Sequence, residues 1–62
     1  MKLKALIIDD EKMARTLLEG LVLEYCPQVE IIGSYPDLVT GAIAIRKQKP
    51  DLIFLDIEMP RH

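Results

Sequence analysis

Two short apolar runs, each stopped by an acid, constrain this chain more than any other feature. Ala5-Leu6-Ile7-Ile8 runs into Asp9-Asp10-Glu11, and Leu52-Ile53-Phe54-Leu55 runs into Asp56. A run with no alternation of polar and apolar residues suits a strand buried on both faces, as in a parallel sheet covered by helices. Parallel neighbours cannot be joined by a tight hairpin, so the residues between the runs must supply crossover connections, normally helical.

The intervening sequence meets that demand. From Glu11 to about Tyr25, apolar residues recur at Met13, Ala14, Leu17, Leu18, Leu21 and Val22, the spacing of an amphipathic helix with Asp10 placed to cap it. Pro27 ends that pattern. Val29 to Ser34, with Val29, Ile31 and Ile32 before Gly33, reads as a shorter strand near a sheet edge. Asp37 to about Lys49 forms a second helix, with Leu38, Ala42 and Ile45 on one face, Val39 and Ile43 adjoining it, and Arg46, Lys47 and Lys49 near its C-terminus. Gly41 lies inside that helix at a cost of ~1 kcal/mol relative to alanine, so the helix is expected to depend on packing. Pro50 closes it, and Ile57-Glu58-Met59-Pro60 follows the last strand as a loop. Strand, helix, strand, helix, strand is the predicted order, in one α/β unit with a parallel sheet and helices on its faces.

Size and charge narrow the functional classes. At 62 residues the chain is at the low end of what can bury a self-sufficient core, yet half of it is hydrophobic, too apolar for a solvated disordered segment. One cysteine, Cys26, excludes an internal disulfide and fits a reducing compartment; its bland reading is a small, partly buried side chain. Ten acids against eight bases, with no basic run, give nothing that would grip nucleic acid. No apolar run approaches the ~20 residues of a membrane span, and Met1-Lys2-Leu3-Lys4 leads straight into a strand pattern, so a cytoplasmic protein without membrane contact is expected.

In open α/β sheets, ligands bind beyond the carboxyl ends of strands where the strand order reverses, the place where Asp9, Asp10 and Asp56 would meet. Two unit charges ~4 Å apart at an effective dielectric of ~20 repel by about 4 kcal/mol, so such a cluster needs protonation or a cation. A hard divalent ion such as Mg2+ suits an all-oxygen site: it retains several waters and takes one or two carboxylates, with a backbone carbonyl and a phosphate oxygen to complete its shell. It also neutralises charge during phosphoryl transfer. Asp56 at a strand tip is then a candidate nucleophile that would form an aspartyl-phosphate. The bland alternative is that Asp9, Asp10 and Glu11 only cap a helix and complement its dipole, worth ~0.3–1 kcal/mol each, with Asp56 a simple strand terminator. His62 reads as a solvated terminal residue.

Ile7-Ile8-Asp9-Asp10-Glu11 together with Pro50-Asp51-Leu52-Ile53-Phe54-Leu55-Asp56-Ile57-Glu58-Met59-Pro60 resembles the signatures of response-regulator receiver domains of two-component systems. The resemblance covers essentially the whole chain. It implies a partial flavodoxin-like βαβαβ unit, a three-stranded parallel sheet in the order 2-1-3 with two helices, spanning 1–62 as the N-terminal part of a truncated receiver. It further implies Asp56 as phosphoacceptor, Asp10 as a direct Mg2+ ligand, Asp9 as a ligand acting largely through water, Glu58 as a ligand through its backbone carbonyl, and a histidine kinase as phosphodonor. The stretch from Lys4 to Arg15 is similar to regulators carrying a LytTR-type DNA-binding domain, which would put any DNA contact in a missing C-terminal domain.

Departures from the family pattern are equally informative. The resemblance places a Ser or Thr after a fourth strand and a Lys after a fifth. Thr16 and Thr40 fall within helices, and Lys2, Lys4, Lys12, Lys47 and Lys49 occupy none of the expected loop, so neither role is carried over to this chain and impaired transfer is expected. Arg61-His62 also stand where a glycine often follows Met-Pro. The third strand would be central in a 2-1-3-4-5 sheet; left open, its apolar edge or the uncovered sheet faces are expected to drive homodimerisation or higher association. A signalling module and not an enzyme is the leading expectation. The alternatives are an unphosphorylated dimerisation or interaction module and an aspartate-nucleophile phosphatase, whose usual Asp-x-Asp after the first strand Asp9-Asp10-Glu11 lacks.

Overall fold

The computed structural model describes residues 1–56. Strand β1 (Leu3–Asp9), helix α1 (Lys12–Tyr25), strand β2 (Val29–Tyr35), helix α2 (Leu38–Gln48) and strand β3 (Leu52–Asp56) follow in the predicted order. The sheet is parallel throughout, ordered β2-β1-β3. This is the partial flavodoxin-like α/β unit that the family resemblance implies.

The core lies along β1. Ala5, Leu6, Ile7, Ile8 and Asp9 are all buried, because β1 has a strand on each side and a helix on each face. Its register with β3 is fixed far from the acids: the Asp51 carboxylate accepts a 2.8 Å hydrogen bond from the Lys4 N–H, and the Asp51 N–H donates to the Lys4 carbonyl at 2.7 Å. Pairing then continues from Ala5 opposite Leu52 to Asp9 opposite Asp56. A slip of one residue would turn every β3 side chain to the other face, so this clamp also decides which side chains meet at the far end. Along β2 the register shifts between Ala5 and Leu6, which pair with Ile31 and Gly33 and leave Ile32 as the extra residue of a bulge.

Helix α2 is well delimited. Asp37 is its N-cap, and its carboxylate accepts from the Thr40 N–H at 2.8 Å and the Thr40 hydroxyl at 2.9 Å. Lys49 closes it in the left-handed conformation at φ 49°, its N–H bonded to the Ile45 carbonyl, and Pro50 prevents continuation. Gly41 is explained by packing: a Cβ there would collide with Cδ1 of Ile8 and lie 2.8 Å from its Cγ1. A side chain at that point would require the buried Ile8 side chain to move.

Three expectations need correction. Asp10 does not cap α1: the helix begins at Lys12 with Glu11, one residue later, at the cap position and no side-chain cap bond, while the Asp9 carboxylate accepts from the Glu11 N–H. The apolar face assigned to α1 divides in two. Val22 is buried and Ala14 and Leu18 are half-buried, whereas Met13, Leu17 and Leu21 are exposed, Met13 by 84% and Leu17 by 66%. On α2 the buried residues are the small ones, Gly41 and Ala44, while Leu38, Val39 and Ile43 are exposed. In each helix the strip nearest the sheet is narrower than the apolar arc of the sequence. Cys26 is partly buried, as expected of an unpaired thiol.

Candidate functional site: a carboxylate pocket at the strand ends

The strand topology brings the acids together. β1 and β3 are parallel neighbours, so their C-terminal tips lie at one edge of the sheet, and Asp9 pairs directly with Asp56. Adjacent strands are about 4.8 Å apart. Asp9, Asp10, Glu11, Ala14 and Asp56 line one hollow of about 130 Å³. The structure therefore unites Asp9, Asp10 and Asp56, the side chains expected to share a site. The fourth expected ligand, the Glu58 carbonyl, lies outside the described residues, as does the loop from Ile57 to Pro60.

The individual acids differ in environment. Asp9 is only 7% exposed, and its Oδ1 accepts a 2.9 Å hydrogen bond from the Glu11 N–H, which leaves Oδ2 without a hydrogen bond from the described residues. Asp10 and Asp56 are exposed. Asp10 lies between two anchored residues, while Asp56 terminates a strand whose register is set at Lys4 and Asp51. Among the described residues, no Lys or Arg lines the hollow. Arg15 is near, but its guanidinium donates to the main-chain carbonyl of Asp9 at 2.7 Å.

Among the described residues, Asp9, Asp10, Glu11 and Asp56 line the hollow with no Lys or Arg, a residue set whose all-oxygen chemistry would fit a hard divalent ion that keeps several waters. Among the described residues, no three His, Cys, Asp or Glu side chains form a ready ligand cluster. By contrast, a hollow of about 210 Å³ near the start of β1 mixes Lys2 with Glu19 and Glu30, so acids and a base share its lining.

Two features were not assigned in the sequence reading. Glu11 contributes its main-chain N–H to hold Asp9, and Arg15 holds the Asp9 carbonyl. The available signal for Arg15 was its place: a cation in the first turn of a helix opposes the dipole and needs a separate reason to be there.

This fold and site define the class to which the chain is similar. No protein-family model matches it. It is 46% identical over 59 residues to an uncharacterized response regulatory protein of Vibrio cholerae and 44% identical over 59 residues to the transcriptional regulatory protein BtsR of Escherichia coli K12, each match covering 95% of this chain and 24% of the relative. A protein-glutamate methylesterase/protein-glutamine glutaminase of Methylobacillus flagellatus is 38% identical over 61 residues, covering 98% of this chain and 17% of the relative. The chain thus spans about a quarter, or less, of the length of these relatives. Relatives that the chain matches are named as response regulatory or transcriptional regulatory proteins, and its βαβαβ unit with acids at the tips of β1 and β3 resembles the first part of a receiver domain. Some relatives bear the names of enzymes, but the match touches only a small share of them. Among the described residues, no helix is long and apolar enough to cross a membrane.

Proposed function

We propose that this chain is the phosphoacceptor part of a two-component response regulator, in which Asp56 receives a phosphoryl group from a histidine kinase. The observation that carries the reading is the pairing of Asp9 with Asp56, with Asp9, Asp10 and Asp56 around one hollow that no base among the described residues lines.

Each residue has a distinct part. Asp56 is exposed at the end of a register-locked strand, so an incoming phosphoryl group can reach its carboxylate. One carboxylate oxygen attacks phosphorus as the phosphorus–nitrogen bond of the donor phosphohistidine breaks; an acyl phosphate forms, and the departing imidazole nitrogen takes up a proton from water. Asp10 would be the direct ligand of Mg2+, Asp9 would act chiefly through water, and Asp56 and the Glu58 carbonyl would complete the protein's donors. Bound there, Mg2+ supplies neutralisation of the phosphoryl oxygens during transfer.

The output of the whole protein is a separate matter. Relatives named as transcriptional regulators support an output on transcription, and the acid excess of this segment argues that DNA contact belongs to other residues. A second copy pairing on the β3 edge or sheet face is favoured by one observation: Ile53 and Leu55 are exposed on it.

Incubation with Mg2+ and acetyl phosphate, followed by intact-mass and peptide analysis, tests the assignment. The expected result is a slow, Mg2+-dependent gain of one phosphoryl group on Asp56, labile to hydroxylamine and lost in Asp56→Asn. Labelling confined to Asp9 or Asp10 would overturn it.

A further inference from the structure

Arg15 stands in the first turn of α1, half-buried, with its guanidinium Nη1 2.7 Å from the carbonyl oxygen of Asp9. Such a bond, short and charge-assisted, is among the stronger single contacts a protein makes. We infer that Arg15 is a positioning residue of the carboxylate pocket, one that orients the Asp9–Asp10 peptide so that both side chains serve one cation; this rests on the proposed phosphoacceptor reading.

The gripped oxygen belongs to the peptide bond that joins Asp9 to Asp10. That unit is planar, so holding its oxygen constrains ψ of Asp9 and φ of Asp10 together. On the other side, the Asp9 carboxylate holds the Glu11 N–H at 2.9 Å. The turn between β1 and α1 is therefore pinned on both sides of Asp10, whose own carboxylate accepts no hydrogen bond from the described residues. Arg15 contributes this without neutralising the acids, since it is not among the residues lining the hollow and its bond goes to a main-chain oxygen. Outer-shell contacts of this kind typically change metal affinity by about 10- to 100-fold when removed.

Charge and positioning give opposite signs, which makes the inference testable. Removing a cation beside an acidic site raises affinity for a divalent cation by Coulomb's law alone, whereas releasing the peptide lowers it. Mg2+ affinity is measured on the whole chain from the backbone amide shifts of Asp10 and Asp56, with thermal unfolding recorded for each variant. Arg15→Met, similar in bulk but without a donor, is expected to weaken Mg2+ about 10-fold; Arg15→Lys, which keeps a charged donor, recovers most of that loss. Should Arg15→Met fail to fold, Arg15→Gln serves, its shorter uncharged donor again giving weaker binding. Affinity unchanged or raised in a folded Arg15→Met or Arg15→Gln overturns the positioning role and leaves the phosphoacceptor reading intact. Absence of Mg2+ binding by the unsubstituted chain overturns both.

Discussion

Asp9 and Asp56 face one another across the β1–β3 ladder, the last pair in a register that begins with Ala5 and Leu52. Two acids 47 positions apart in the chain thus become neighbours through strand pairing alone. Between them in sequence lies the whole of α1, β2 and α2, whose structural task is to return the chain in parallel beside β1.

Gly41→Ala tests how closely α2 is held against β1. Alanine is favoured over glycine in a helix by about 1 kcal/mol, so propensity alone stabilises the variant. Here the new Cβ meets Cδ1 and Cγ1 of the buried Ile8, and overpacking of that kind costs about 1–3 kcal/mol. The expected outcome in chemical denaturation is a net loss of stability, partly relieved by adding Ile8→Val, which removes Cδ1. A stabilised single variant would show that the helix sits farther from the sheet.

Leu17 and Ile7 separate the two parts of the core reading. Ile7 is fully buried, and Ile7→Ala is expected to cost about 2–5 kcal/mol, enough to threaten the fold of so short a chain. Leu17 is mostly exposed, so Leu17→Ala is expected to change stability by no more than about 0.5 kcal/mol. Comparable losses in the two variants would mean that the stripe of Met13, Leu17 and Leu21 is covered in solution.

That contrast marks what was legible in the sequence. The strands could be read from their unbroken apolar runs, although only β1 is covered on both faces and β3 leaves Ile53 and Leu55 exposed; the order 2-1-3 came from the family resemblance. The helices were found by periodicity, but periodicity reports an apolar arc and does not say which part of it touches the sheet. In α1 the contact falls on Ala14, Leu18 and Val22, at one side of the arc; in α2 it falls on Gly41 and Ala44, which a hydrophobic pattern ranks below Leu38 and Ile43. Small residues three apart on a helix were the overlooked sign of close approach. At the site, Asp9, Asp10 and Asp56 were identifiable as carboxylates stranded at strand ends. The hydrogen bonds of Glu11 and Arg15 to Asp9 were not, since a main-chain donor has no residue signature and an arginine can reach many acceptors.

Asp37 gives the fold a pH dependence of known sign. The Thr40 N–H, bonded to its carboxylate, and then the Thr40 hydroxyl hold its pKa below the ordinary value of 3.8. A carboxylate with a depressed folded-state pKa contributes stability that is complete above the unfolded value and lost as pH falls through the folded one. Hydrogen exchange at the Thr40 amide, followed as pH falls below 3.8, is expected to show protection declining in the native chain. Asp37→Asn keeps an acceptor that cannot titrate, so its protection should stay level over that window.

Leu55 probes association. It is 60% exposed and stands next to Asp56 on β3. Light scattering of the chain is expected to show dimers or larger species, and Leu55→Lys, a charge placed on an open strand, is expected to shift them toward monomer. A native chain that is monomeric at all concentrations and unfolds cooperatively would contradict pairing on this edge.

The sharing of one cation by the tips of β1 and β3 is tested most directly by titrating the chain with Mg2+ and following the amides of Asp10 and Asp56 together. Both sets of shifts should fit a single affinity, and Asp56→Asn should weaken the response at Asp10 as well. Movement at Asp10 with none at Asp56, or two unrelated affinities, would show that the acids do not act as one site.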